Sequence, residues 1–263
     1  MVLAFAASYF ALEAEFKRHK LKLDPYTIVA VVAFAGILGA KIWHVIDTPA
    51  DRLNLETLKS FGALVSWFRG GFAWFGGFVA GIVTLLVIAR RNGINMLTML
   101  DLCSYPAAVG YAVGRIGCLI SGDGDYGRPT NLPWGMAFPN GLVPTTKTCV
   151  EWGWPANCAV HPTPIYEAIA ATLIFWYLWR LAGKAQPIGK VTALYLILMG
   201  IERFLVEFIR INPRSFFGLS NAQAASLVSI IAGGLMLLVC RERVRKNPVD
   251  LKRGEELSKS KGS

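Results

Sequence analysis

The chain is poor in charge and in histidine. Only 17% of its 263 residues are Asp, Glu, Lys or Arg and 54% are hydrophobic, whereas an ordinary soluble domain is about a quarter charged. That shortage argues against a soluble globular domain. Three histidines and five cysteines fall in no metal-ligand spacing, so neither a metal nor another cofactor is expected. No basic stripe carries interleaved aromatics, so the net charge of +10 is not that of a nucleic-acid binder. Internal symmetry of the kind inverted-repeat transporters carry is missing as well.

Long apolar stretches, with a mean hydropathy of +0.45, take the place of charge. Seven are read as spans, over residues 2–16, 26–46, 70–88, 97–120, 161–181, 191–211 and 223–239. The first is short of the roughly 20 residues a bilayer requires, and reads as a marginal span or as a truncated or misassigned start. Its charges, Lys17 to Lys22, follow the apolar run, the reverse of a signal peptide. Asp24 and Pro25 open the second span, and Arg90 to Gly93 close the third. The connections after spans one, three, five and seven carry KRHKLK, RR, RLAGKAQPIGK and RERVRK, while the others hold little net positive charge. With the N-terminus outside and the C-terminus inside, every loop obeys the positive-inside rule.

The expected fold is therefore an all-α integral membrane protein with seven transmembrane helices in residues 1–241. A small outward, periplasmic head, residues 121–160, lies between helices four and five, and a charged cytoplasmic tail covers residues 242–263. Cys149 and Cys158 lie in that head, where an oxidising compartment allows a disulfide; the alternative is two free thiols. Cys103, Cys118 and Cys240 read as small apolar residues.

Ionisable groups inside spans mark functional sites by default. The sixth span holds Glu202, Arg203, Glu207 and Arg210, and the spacing puts the last three on one helix face. They read either as a self-neutralising ladder or, with an arginine in excess, as a phosphate site completed by Arg115 of span four. Asp101, about four turns before Arg115, is a helix-end charge or a partner of Lys41. Asp123 and Asp125 are turn residues, or carboxylates that orient an arginine or accept a thiol proton. His44 is an interfacial anchor or a base, and His161 a cap-region residue. Tyr166 and Glu167 enter span five from its outer end. Gly76, Gly77 and Gly81 give span three a small-residue face for helix packing.

From the second span to the seventh, the chain resembles the bacterial prolipoprotein diacylglyceryl transferases. The most specific stretch is GRIGCLISGDGDYG, residues 114–127, similar to the family's Gly-Arg-x-Gly-Asn-Phe-x-Asn-Gly-Glu…Gly signature. GGFAWFGGFVAG, DLCSYPAAVGYAVG, HPTPIYE and RFLVEFIR support it in the same order. The resemblance implies a multi-pass enzyme of the bacterial inner membrane. It would move the diacylglyceryl group of phosphatidylglycerol to the lipobox cysteine of a prolipoprotein, forming a thioether and releasing glycerol 1-phosphate. Phosphatidylglycerol, prolipoprotein signal peptides and membrane lipids are the implied partners. The reacting species is a thiolate, and the leaving phosphate calls for arginine clamping.

Position by position, Arg115 is similar to the signature arginine, Arg203 and Arg210 to those of span six, and Glu207 to the glutamate between them. Arg115 and Arg203 are the expected phosphate ligands, with Glu207 and Arg210 orienting them. Asp101, Gly127, Tyr166 and Glu167 also resemble family positions. Ser121, Asp123, Asp125 and His44 complete the expected headgroup site, with Lys41 in support. Several positions depart from the pattern. Phe75 stands where the family has histidine, Cys118 and Ser121 replace asparagines, and Asp123 or Asp125 replaces a glutamate. Lys41 stands for an arginine and His44 for a tyrosine. Two other functions compete with the transferase: a paralogue that binds the phospholipid without transferring it, and an unrelated lipid or solute transporter. The retained arginines and Glu207 favour the enzyme.

Overall fold

Several helices in the computed structural model begin where a nearby side chain supplies an oxygen for the first free amides. The structure describes residues 1–47, 60, 62, 63, 67, 74–184, 186–212, 214 and 217–246. Their helices are α1 (Val2–Arg18), α2 (Pro25–Asp47), α3 (Trp74–Arg91), α4 (Met96–Ser121), α5 (Thr145–Glu151), α6 (Thr163–Ala182), α7 (Lys190–Val206) and α8 (Asn221–Lys246). Asp24 caps α2, accepting from the amides of Tyr26 at 3.1 Å and Thr27 at 3.0 Å, with Pro25 as the first helical residue. Asn95 caps α4 through the Leu97 amide at 2.9 Å. Ser220 and Gln223 exchange side-chain and backbone bonds at 3.2 and 3.1 Å, a capping box at the start of α8.

The fold is all-α: among the described residues, extended pairing is confined to isolated bridges. Four described helices are long and apolar enough to cross a membrane, over Pro25–Ile46, Met96–Ser121, Thr163–Ala182 and Asn221–Cys240. Phe34, Ile120, Leu173 and Val228 lie exposed on them, as a lipid-facing surface requires. The first residues of the expected third span, the 47–60 loop except Asp47 and Ser60, and the tail beyond Lys246 fall outside the described residues. Span six differs from expectation. Its helix stops at Val206, Glu207 to Ile209 form a turn, and Arg210 is in extended backbone.

Two compact units make up the chain. In Glu13–Leu100, α2 packs on α3 through glycines. A Cβ on Gly39 would lie 2.6 Å from the Gly76 carbonyl oxygen, and one on Gly77 would lie 3.0 Å from that of Gly36. The small-residue face of Gly76 and Gly77 is thus a packing face, while Gly81 is in ordinary contact with Val32. Lys41 is buried, donates to the Trp67 carbonyl at 2.6 Å and lies over its ring.

The second unit comprises Met1–Leu12 and Asp101–Ser263. Its core joins Tyr105 and Ala108 of α4, Ile174 and Leu178 of α6, and Val191 of α7. α8 lies against α7, where Ser229 donates to the Leu196 carbonyl at 2.9 Å. Asp101 performs a tertiary task here. Helix α7 follows Gly189, which has no side chain to cap it, and Asp101 of α4 accepts from the Gly189 amide at 2.6 Å and the Thr192 amide at 2.7 Å. A carboxylate at a helix N-terminus also meets the positive end of its dipole. Asp101 thus serves as a helix-end charge, at the start of a helix other than its own.

Between α4 and α6 the loop folds on a small core of Tyr126, Cys149, Cys158 and Val160, with Phe138 stacked on Tyr126. Cys149 and Cys158 are bonded, with Cα atoms 5.8 Å apart. Bridges Pro129–Val160 and Met136–Val160 close the loop on itself, and Gly127–Arg210 ties it to the chain after α7.

Candidate active site

Arg115, on the last turns of α4, points at a carboxylate that the sequence placed only loosely. Glu167, one turn into α6, is fully buried, and its carboxyl meets Arg115 Nε at 3.0 Å, Arg203 Nη1 at 2.7 Å and Arg210 Nη1 at 3.6 Å. The Tyr111 hydroxyl donates to it at 3.2 Å, and the Tyr111 ring lies 4.9 Å from the Arg115 guanidinium. Glu207 forms a second centre, 2.9 Å from Arg203 Nη2 and 3.7 Å from Arg210 Nε, with Asn212 donating to it at 2.6 Å.

Asp125 is the third carboxylate. One oxygen is paired with Arg115 and the other with Arg210. Its backbone carbonyl accepts from Thr163 Oγ1 at 2.6 Å and Arg210 Nη1 at 3.2 Å. Burial pushes its carboxyl up, but the guanidiniums of Arg210 and Arg115 together outweigh that and hold it below the usual carboxylate range. Asp123 instead accepts from the Asp125 amide at 3.2 Å, the turn role.

This arrangement corrects the charge balance drawn from span six alone. Arg115, Arg203 and Arg210 face Asp125, Glu167 and Glu207, so the cluster is neutral as it stands. The arginine excess disappears because Asp125 and Glu167 come from a loop and a helix far away in sequence. Helical spacing does not deliver Arg210 either. The bridge to Gly127 does, and a Cβ on Gly127 would come within 2.9 Å of both His161 Cβ and the Ile209 carbonyl oxygen. Only glycine permits that approach.

Several other expected residues have bonds of their own. Tyr166 accepts from Trp134 Nε1 at 2.8 Å and meets His161 Nδ1 at 3.3 Å, a group apart from the arginines. Burial lowers the His161 imidazole from its ordinary value. The Ser121 hydroxyl is spent on the Cys118 carbonyl at 3.0 Å. His44 and Lys41 belong to the unit Glu13–Leu100. Glu202 is buried, with neither oxygen hydrogen-bonded to a described residue. Cys118, Asp123 and Asp125 place potential ligand atoms within 4.8 Å of one another, a grouping not foreseen from sequence. A cation there would have to displace two guanidiniums from Asp125. Tyr111, Thr163 and Asn212 escaped the sequence reading because hydroxyl and amide side chains carry no signal without their partners.

Residues 1–239 match the model of the family described as prolipoprotein diacylglyceryl transferase. The chain belongs to that family. Curated relatives named phosphatidylglycerol–prolipoprotein diacylglyceryl transferase agree over most of both chains. The protein from Clostridium tetani is 32% identical, covering 92% of this chain and 92% of its own. That from Finegoldia magna is 31% identical over 84% and 82%, and that from Geobacter sulfurreducens 30% over 92% and 90%. Family membership and the four apolar helices make this a multi-pass membrane protein. The stretch from Gly114 to Gly127, the last turns of α4 and the start of the loop after it, carries Arg115 and Asp125.

Proposed function

We propose that the protein transfers the diacylglyceryl group of phosphatidylglycerol to the lipobox cysteine of prolipoproteins. The convergence of Arg115, Arg203 and Arg210 on the buried Glu167 carries this reading. The thiolate attacks the glycerol carbon next to the phosphate ester, the sulfur–carbon bond forms as the carbon–oxygen bond breaks, and glycerol 1-phosphate leaves. Negative charge builds on the departing phosphate, where preorganised guanidiniums stabilise it more than water would. Arg115 and Arg203 serve as phosphate ligands, and Glu207 orients Arg203 and Arg210, the latter also within reach of the phosphate beside Arg115. Glu167, held by three arginines and Tyr111, sets their spacing. Ser121, Asp123, Asp125 and Gly127, all of one stretch, form the surroundings of the headgroup, with Asp101 supporting α7 and Lys41 supporting α2.

The enzyme lies in the bacterial inner membrane as seven spans, with its N-terminus and the 121–160 head outside and its C-terminus in the cytoplasm. Loop charge supports that orientation. Both substrates then reach the arginines from the outer half of the membrane.

The test is a mass shift. Purified protein in detergent is incubated with phosphatidylglycerol and a lipobox peptide, and the peptide is weighed. An added diacylglyceryl group is the expected result, with Phe75 no obstacle to it. An unmodified peptide, from folded protein that still binds the lipid, would instead identify a lipid-binding paralogue.

A further inference from the structure

We propose that the Asp125 carboxylate occupies the place of the substrate phosphate in the lipid-free protein and is displaced when the phospholipid binds. The inference rests on the reading of the arginine cluster as a phosphate site. Asp125 presents two oxygens of one anionic group to two guanidiniums, one to Arg115 and one to Arg210. A phosphodiester presents two oxygens and the same single negative charge, so the exchange leaves the charge of the cluster unchanged. Entry of a phosphate without departure of an anion would leave a buried site with excess negative charge, which is costly.

Of the three carboxylates, Asp125 is the one able to leave. The side chains of Glu167 and Glu207 are 0% and 1% exposed, whereas that of Asp125 is 32% exposed. Glu167 is also held by Tyr111 and Glu207 by Asn212, while no neutral side chain donates to the Asp125 carboxyl among the described residues. Its backbone is fixed, because the carbonyl is bonded to Thr163 and Arg210 and the amide to Asp123. Displacement is therefore a rotation about the side chain, with no loop movement. The helix end and the bridge at Gly127 stay in place while the arginines change partner.

The probe is short-chain phosphatidylglycerol added to the full chain in uncharged maltoside micelles, with diacylglycerol as the phosphate-free control. Where the displaced state is about a tenth of the population, removing the competitor tightens the apparent affinity about tenfold. Asp125→Asn is expected to show that gain, with a larger thermal shift on lipid addition than the wild type. Unchanged or weaker binding by a folded Asp125→Asn protein overturns the inference. A second measurement uses the wild type alone, labelling carboxyls with a water-soluble carbodiimide and an amine. Asp125 labelling should rise on adding phosphatidylglycerol and stay constant with diacylglycerol. Constant or falling labelling with phosphatidylglycerol also overturns it. Arg115→Gln separates the two readings. Retained lipid affinity in that variant defeats the phosphate site itself. Lost affinity there, without a gain in Asp125→Asn, defeats only the displacement.

Discussion

Glu167 and Arg203 meet at 2.7 Å between α6 and α7, and the glutamate is fully buried. Taking the glutamate's charge away leaves three arginines facing only two carboxylates in a low-dielectric interior. Glu167→Gln should therefore destabilise the protein by roughly 3–5 kcal/mol, the cost of breaking a buried pair. Thermal unfolding in detergent measures it. The exposed pair Lys147–Glu151, 3.8 Å apart, is the control, where Lys147→Ala should cost no more than about 1 kcal/mol. Equal losses in the two variants would refute the central role of Glu167.

Arg115→Ala and Arg203→Ala should abolish transfer while the protein still inserts into membranes. Loss of one preorganised charge donor costs about 10²–10³-fold in kcat, measurable by peptide lipidation. Arg115→Lys should recover little, because one ammonium cannot hold Asp125 and Glu167 in the forked geometry of a guanidinium. Near-normal turnover in either alanine variant would remove that arginine from the phosphate site.

Asp101→Ala should lower the melting temperature through α7, since it strips the amides of Gly189 and Thr192 of their acceptor. A lost cap costs about 0.5–2 kcal/mol. Asp101→Asn, which keeps an oxygen acceptor, should fall between alanine and wild type. An asparagine variant no more stable than alanine would count against capping.

Acid should weaken the protein through Asp125. Its folded carboxyl titrates below the ordinary value, so the stability it supplies is complete above the unfolded pKa of about 3.9. That stability is lost as pH falls through the folded value. Melting curves of wild type and Asp125→Asn should therefore converge as the pH drops below about 4. A constant gap across that window would show that the Asp125 charge contributes nothing.

Reduction of the Cys149–Cys158 bond, or Cys149→Ser with Cys158→Ser, should destabilise the loop between α4 and α6. Native disulfides typically contribute about 2–4 kcal/mol. The loop carries Asp125, and its bridge at Gly127 delivers Arg210, so transfer should fall together with the melting temperature. Full activity in the double serine variant would separate that loop's stability from the site.

Much of this protein is written locally. The apolar runs of α2, α4, α6 and α8 are visible as unbroken stretches, and Asp24 announces its helix through residue type and spacing alone. Arg115, Arg203, Glu207 and Arg210 were legible as well, since a charge inside an apolar run is conspicuous whatever its partners. Partnership itself was not legible. Asp125 and Arg210 are separated by 85 positions, and Asp101 caps a helix whose first amides lie 88 positions away. Sequence periodicity reports neighbours on one helix, so it grouped Arg210 with Glu207 on a helical face and counted an arginine too many. Only the packing of α4, α6 and α7, with the loop pinned at Gly127, brings Glu167 and Asp125 in and makes the cluster neutral. Helices can be read from local hydrophobicity and capping, but the charge state of a buried site depends on long-range contacts that desolvate and pair its groups.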